Sequence, residues 1–450
     1  MPETNLKRLD PKLIRRYNTS GPRYTSYPTA LQFGEFHESD LIEAINISDN
    51  KDKDLSLYIH IPFCATLCYY CACNKIVTRK REPAIEYLAL LKKELSLAKS
   101  LFKNRYVSQL HWGGGTPTYF DDEQISELMT AIEATFSMRP DTEREFSIEI
   151  DPRTVNADRI KNLRNVGFNR LSMGIQDFDI TVQKAVNRIQ SFSDTKEVIL
   201  AAREQGFKSI SVDLIYGLPH QTLKSFDTTL DLVIKLSPDR ISIYNYAHLP
   251  ERFYPQKRIL VSDLPASEEK LNILQLCIEK LCGTGYIYIG MDHFALPDDE
   301  LALAQKNGSL QRNFQGYSTQ AESDMIAFGI TAISHIGNTF SQNLKDVASY
   351  KQKLELGELP LEKGVLIDDD DLIRKQIIKS LICQFSLNFS KIEQQFGIDF
   401  KDNFHSELER LRSMEKDALL EISKTEVVVS PQGRLLIRNI CMVFDRHLSG

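Results

Sequence analysis

Four cysteines crowd into one short stretch, Cys64-Ala-Thr-Leu-Cys68-Tyr-Tyr-Cys71-Ala-Cys73. Three thiolates at that spacing can reach three corners of one small iron–sulfur cubane. A four-iron cluster normally takes four cysteines, so a three-cysteine set leaves one iron open to a chelating ligand. The alternatives are a structural zinc site or inert thiols. Structural zinc usually takes two separated ligand pairs whose loops wrap a tetrahedron, which this single run does not offer. Spacing alone does not say which cysteine is spare. The other four (Cys277, Cys282, Cys383, Cys441) are scattered through segments that read as helical. That distribution points to a reduced compartment and one metal site, not to an extracellular disulfide framework.

A second chemical signal is His111-Trp-Gly-Gly-Gly-Thr-Pro-Thr118. Three glycines let the backbone approach a ligand closely, with amide groups free to bind it. The run is neither a Walker loop nor a Gly-x-Gly-x-x-Gly dinucleotide fingerprint, and alone it reads equally as a tight turn. His60, His111 and His293 sit in or beside strand-like segments, where packing is the commoner role. Among the clustered tyrosines Tyr24, Tyr27, Tyr58, Tyr69 and Tyr70, the last immediately precedes a cysteine and is best placed to stack on an aromatic cofactor.

The elements that must position these residues alternate. Strands are predicted at Leu55–Ile61, Val107–Trp112, Phe146–Ile150, Arg170–Ile175, Lys208–Ile215 and Arg240–Tyr246. Helices are predicted at Ala84–Leu101, Glu123–Phe136, Asn156–Val166, Asp194–Gln205 and Thr222–Lys235. Such alternation implies an α/β class with parallel strands and crossover helices. Polar or glycine-rich residues close every strand: the cysteines, the triple glycine, Glu149 and Asp151, Gln176 and Asp177, Asp213 with Gly217, and Tyr244, Asn245 and His248. Active sites of parallel barrels form at that face. A helix at Ser267–Cys282 and a strand at Tyr286–Met291 follow, then a polar stretch at 340–368 that reads as irregular. The run Asp368–Asp371 reads as a helix start. Beyond it come helices Asp371–Phe385, Phe389–Phe396 and Asn403–Asp417, a β-like pair around Ser430 and a closing helix from Gly433. The expected division is an N-terminal arm (1–52), the barrel (53–300), a segment completing the active site (301–367) and a helical, winged-helix-like C-terminal domain (368–450).

The chain of 450 residues, 42% hydrophobic and 26% charged, is ordinary globular material. Its net charge of −6 speaks against nucleic acid or anionic membrane as a partner. Residues 368–450, at −2, are no DNA reader. No run of 18 apolar residues occurs, and Met1–Asp10 lacks the apolar core of a secretory signal, so a cytoplasmic location is expected. Residues 1–30 differ in carrying Lys7, Arg8, Lys12, Arg15, Arg16 and Arg23 against Glu3 and Asp10, a net +4.

Cys-x-x-x-Cys-x-x-Cys with an aromatic before its third cysteine, followed by Gly-Gly-Gly-Thr-Pro, resembles the radical S-adenosylmethionine (SAM) superfamily. The resemblance narrows to the oxygen-independent coproporphyrinogen III oxidases through Ser20–Thr29, Tyr58–Cys64, Cys71–Lys75 and His111–Thr118. It continues through Glu149–Arg153, Asp213–Pro219, Met291–Phe294, Asn313–Tyr317 and Gly433–Cys441, and so runs from about Lys12 to Asp445. It implies a partial (β/α)6 TIM-like barrel in which Cys64, Cys68 and Cys71 hold a [4Fe-4S] cluster and Cys73 does not. One SAM would chelate the open iron beside Tyr58, Tyr70, Gly114, Glu149 and Ile333, and a second would sit beside Gly115, Thr116, Gln176, Arg188, Asp213 and Ala247. Gln311 stands where the family often has His, and Tyr70 where Phe is common.

The implied reaction is oxidative decarboxylation of two propionates of coproporphyrinogen III to vinyl groups, giving protoporphyrinogen IX, through a 5′-deoxyadenosyl radical. The implied partners are the substrate and a one-electron reductant such as flavodoxin or ferredoxin; the implied state is a monomer. The four substrate carboxylates give the basic arm, with Arg23, a candidate purpose, against the plainer reading of a solvated helix face. Haem-chaperone relatives share the cluster and glycine loop but typically lack the fourth cysteine and the Gly-Pro-Arg-Tyr-Thr-Ser-Tyr-Pro arm, and this sequence has both. A radical enzyme acting on RNA is disfavoured by the net charge.

Overall fold

The computed structural model of the chain describes residues 11–17, 19, 21–48, 53–102, 105–319 and 323–448. The expectations for Met1–Asp10, including Lys7 and Arg8, lie outside these residues. No described helix is long and apolar enough to cross a membrane.

The chain forms two compact units: residues 34–273 with 322–366, and residues 1–33 with 274–321 and 367–450. In the first, the six predicted strands appear as β1 (Leu55–Ile61), β2 (Tyr106–Gly114), β3 (Glu145–Ile150), β4 (Arg170–Gln176), β5 (Ser209–Tyr216) and β6 (Arg240–Asn245). They pair in parallel in the order β6-β5-β4-β3-β2-β1. Crossovers are made by α1 (Glu82–Ala98), α2 (Asp122–Thr135), α3 (Ala157–Val166), α4 (Phe192–Glu204) and α5 (Leu223–Leu236). This is the expected α/β architecture built on a parallel sheet.

Local chemistry sets the helix starts. Asp121, Asn156, Ser191 and Thr222 each accept a bond from a first-turn amide, with capping boxes at Asp121/Gln124 and Thr222/Ser225. β1 is buried along nearly all its length, as a strand covered on both faces must be. Fully buried Trp112 on β2 meets Phe168 edge-on, with centroids 5.2 Å apart.

The sheet continues past β1. β7 (Asp324–Phe328) pairs with it in parallel, and β8 (Ile333–Ile336), β9 (Thr339–Asn343) and β10 (Leu361–Leu366) add antiparallel strands. The stretch 340–368 is therefore not irregular: it holds most of β9, helix α6 (Val347–Glu355) and β10. Its polar composition fits strands near a sheet edge. Gly364 bridges Gly34 by bonds of 2.8 and 3.0 Å, and a Cβ on Gly364 would lie 2.5 Å from the Phe36 ring.

The second unit carries helices Asp369–Gln384, Phe389–Phe396 and His405–Lys416 and a small sheet of Ser386–Asn388, Glu426–Val429 and Leu420–Ile422. The β-like pair thus precedes Ser430, and the closing helix is two short ones, Pro431–Arg434 and Ile437–Met442. The arm docks on these helices: Arg16 pairs with Asp417 at 2.9 Å, and Tyr17 and Tyr24 donate to Asp417 and Asp445 at 2.6 and 3.0 Å.

Candidate active site

The cysteine loop leaves β1 at Pro62 and is held at both ends. Phe63–Cys64 pairs with Ile76–Val77. The Asn187 amide donates to Leu67 O at 2.7 Å, Tyr69 N to Val186 O at 3.0 Å, and Gln256 Nε2 to Tyr70 O at 3.0 Å. Lys75 Nζ closes the loop on Cys71 O at 3.0 Å. These anchors bring Cys64, Cys68 and Cys71 onto a cavity of about 280 Å³, with Tyr70, Gly114, Gly115, Thr116, Glu149, Gln176, Arg188 and Asp213 on its walls. Eleven residues expected at the site thus converge on one cavity.

Glycine is required where the triple-glycine loop meets the cysteine loop. A Cβ on Gly115 would lie 2.7 Å from the Pro62 backbone, and Gly114, at φ +114°, would bring one 2.7 Å from the His60 ring. Gly115 N donates to Ile61 O at 2.8 Å, and Thr116 Oγ1 lies 3.6 Å from Cys64 Sγ. Gly114 N points at Glu149 Oε2, 3.3 Å away, while Glu149 Oε1 pairs with His111 Nε2 at 3.1 Å.

Tyr58, Ala247 and Ile333 do not line the cavity. Tyr58 stacks on His111, centroids 5.9 Å apart, and its hydroxyl meets His60 Nδ1 at 3.1 Å. It therefore reaches Glu149 through His111. Ile333 begins β8, and Ala247 is exposed just past β6. Arg23 belongs to the other unit, where it pairs with Asp292 at 2.8 Å. His60 Nε2 meets Asn74 O at 3.3 Å, and His111 Nδ1 meets Ser147 Oγ at 3.2 Å.

Charge is concentrated beside Cys68. Arg153 Nη2 and Arg188 Nη1 each lie 3.8 Å from its sulfur. Asp151 holds both guanidiniums, at 2.6 and 3.2 Å. Burial acts to raise the Asp151 pKa, but Arg188 and then Arg153 outweigh it and keep the carboxyl below its usual range. At Asp213 burial wins, Glu149 adds repulsion, a Ser242 bond only partly compensates, and the carboxyl is pushed up to about 7. A hydrogen bond from Cys73 lowers Cys71 to about 6 against burial, and Cys73 is raised by that same bond.

Arg153 is a site residue that motif reading passed over, although it stands two positions after Asp151 in a Pro-containing turn that aims it back at that carboxylate. Behind the wall a polar lattice sets two others. Gln183 Nε2 donates to Asp177 O at 2.9 Å and Gln190 O at 2.8 Å, and Arg188 N donates to Gln183 O at 2.8 Å. Asp177 accepts from Asp179 N, Thr229 Oγ1 and Gln221 Nε2 at 2.7, 2.7 and 2.6 Å. Gln221 Oε1 in turn takes Gly217 N at 2.6 Å. The lattice fixes Gln176 at φ +67°, a conformation a side chain seldom adopts unless its surroundings impose it.

The donor set fits an iron–sulfur cluster and an adenosyl cofactor. Among the described residues no three His, Cys, Asp or Glu side chains are placed to hold one metal ion. A cubane offers each thiolate its own iron and accepts wider spacing. Gln176 Oε1 and Arg188 Nε are buried without a partner, so the wall retains unused hydrogen-bonding capacity.

The family model described as Radical SAM superfamily matches residues 58–233, and that described as HemN C-terminal domain matches residues 367–436. The oxygen-independent coproporphyrinogen III oxidase of Pseudomonas aeruginosa is 49% identical over 443 residues, covering 98% of this chain and 96% of that protein. Its namesake from Escherichia coli is 50% identical over 440 residues, covering 98% and 95%. The solved structure of coproporphyrinogen III oxidase from Escherichia coli, a radical SAM enzyme, superimposes with a TM-score of 0.93 at 48% identity, covering 98% of this chain and all of that one. With sequence identity of about half and the same fold along nearly the whole length, this chain belongs to the oxygen-independent coproporphyrinogen III oxidase family of radical SAM enzymes.

Proposed function

We propose that this chain is an oxidoreductase of haem biosynthesis that decarboxylates two propionates of coproporphyrinogen III to vinyl groups without oxygen. The observation that carries the reading is the convergence of Cys64, Cys68 and Cys71 on one cavity with Glu149, Arg188 and Asp213. Bound there, a [4Fe-4S] cluster and SAM would supply one electron and a 5′-deoxyadenosyl radical able to take a hydrogen from the propionate β-carbon.

The protein's own part is to bind, orient and shield. Cys64, Cys68 and Cys71 are the ligands, and Arg153 and Arg188 offset the negative charge of a thiolate-bound cluster. Gly114 gives close backbone approach, Tyr58 steadies the His111–Glu149 pair, and these residues with Tyr70 and Ile333 are assigned to the SAM on the open iron. Gln176 and Arg188, with Gly115, Thr116, Asp213 and Ala247, are assigned to a second SAM. No side chain is needed as a general base. The reductant is a one-electron protein carrier of the flavodoxin or ferredoxin type, and the enzyme is a cytoplasmic monomer.

The test is an anaerobic assay with SAM, a reductant and coproporphyrinogen III, reading CO2 and porphyrin products. Tight haem binding without decarboxylation by cluster-loaded protein would replace this reading with a haem-transfer role. Cys68→Ser is expected to abolish the iron–sulfur absorption and turnover together, whereas Cys73→Ser keeps the absorption. An intact cluster in Cys68→Ser refutes the ligand assignment.

A further inference from the structure

The unit holding the N-terminal arm carries a second group of charged side chains, which includes Arg23. A hairpin, Gln311–Asn313 paired with Gly316–Ser318, sets Arg312 opposite Tyr317, its guanidinium 4.7 Å from the ring centroid. Tyr317 is fixed by donating to Ile382 O at 3.0 Å, and His293 meets its ring edge-on at 5.2 Å. Arg312 Nε donates to Arg23 O at 3.3 Å, and Arg23 Nη2 pairs with Asp292 Oδ2 at 2.8 Å.

Three observations single out this cluster. First, two permanent cations flank His293: burial, then Arg312 and Arg23, hold it well below its usual range, at about 3, so the imidazole adds no charge of its own. Second, Arg312 Nη1 is buried with no partner among the described residues, and a buried guanidinium N–H without an acceptor is costly. Third, Met291 and Asp292 are consecutive non-glycine residues at φ +41° and +78°, backbone strain of the kind that gathers at ligand sites.

We propose that Arg23 and Arg312 form a carboxylate-binding site in which Asp292 is a displaceable placeholder, and that its ligand is a propionate of the porphyrinogen substrate. This rests on the substrate assigned above. A guanidinium fork receives a carboxylate through two parallel bonds, and stacking on Tyr317 holds the Arg312 fork in plane before the ligand arrives. An incoming propionate satisfies Arg312 Nη1 and takes the place of Asp292 on Arg23. Arg23 alone would attract a tetra-anion without fixing it; the pair fixes one carboxylate.

The probe is coproporphyrin III, the stable fluorescent tetracarboxylate, titrated into the full-length protein without turnover. Arg312→Gln is expected to weaken binding at least ten-fold, Arg312→Lys to recover part of it, and the neutral tetramethyl ester to bind wild type no better than the acid binds Arg312→Gln. Asp292→Asn moves the other way: it removes the competing carboxylate, suits the left-handed backbone, and should tighten binding several-fold. Equal affinity of wild type and Arg312→Gln overturns the site, as does tight binding of the ester. Should Arg312→Gln fail to fold, an unchanged or weakened affinity in Asp292→Asn overturns it equally. Absence of decarboxylation by cluster-loaded wild type would instead refute the reaction and leave the binding result standing.

Discussion

Asp151 follows β3 and Asp213 lies on β5, and both line the cavity that holds the cysteines. Both are withdrawn from water, and burial is the largest influence on each. The outcomes are opposite. Asp151 has Arg188 and Arg153 within hydrogen-bond distance and stays ionised, while Asp213 has one serine hydroxyl and a carboxylate neighbour and rises to about 7. Partners, more than depth, decide the charge. The cavity therefore has a permanently charged side, beside Cys68, and a side that can be neutral near physiological pH.

The largest expected effect comes from breaking the charged side. Asp151→Ala leaves two guanidiniums largely buried and uncompensated beside Cys68, at a cost of about 3–5 kcal/mol, because removing one partner of a buried pair strands the other. Urea unfolding of the cluster-free protein should show that loss. Turnover should fall more than about 100-fold, since an Ångström-scale displacement of positioned groups has that consequence. A variant of wild-type stability would mean that Arg153 and Arg188 are held by other contacts.

The second test separates the two carboxylates by pH. Asp213 ionises near 3.8 when unfolded and near 7 when folded, so the folded state binds the extra proton between these values. Stability therefore falls as pH rises from about 4 through about 7, by roughly 2–4 kcal/mol from this group. Asp151 has the reverse slope: its depressed pKa lends stability above about 4 that is lost as pH falls through the folded value. Asp213→Asn should accordingly be more stable than wild type at pH 8 and indistinguishable from it at pH 4, read from urea midpoints. A constant difference at both pH values would place the elevated pKa on another group.

How legible these features were in the sequence depended on what kind of signal carried them. The six strands and their crossover helices announced themselves by period and length, and β1 by the alternation of Leu55, Leu57, Ile59 and Ile61. The cysteine and glycine loops were legible because their chemistry is local. The edge strands Thr339–Asn343 and Leu361–Leu366 were not: their apolar content is thin, and Gly364 looks like a breaker until Phe36 and Gly34 are seen against it. Gln183 and Gln221 were opaque for a related reason. A glutamine in a polar stretch reads as solvated, and only the fold reveals both side chains turned inward onto Asp177 and its neighbours. Motif resemblance supplied Tyr58, Ala247 and Ile333, which the cavity itself does not include.

Asp177 completes the comparison, and its test has the smallest expected effect. It has neither the cations of Asp151 nor the near isolation of Asp213; three neutral donors surround it, and burial still raises its pKa. If neutral donors only partly offset burial, deleting one should raise that pKa further and cost a modest amount of stability. Thr229→Val removes one bond to Oδ1, while Asp179 N retains the other, and also the hydroxyl that accepts from Phe178 N at 3.2 Å. The expected loss is about 2 kcal/mol, two buried hydrogen bonds at about 1 kcal/mol each, with Thr229→Ser restoring it. Because Asp177 sits next to Gln176 at φ +67°, the same substitution should raise the KM for SAM more than it lowers kcat. Equal changes in both constants would mean that the lattice supports the fold at large and not the cavity wall.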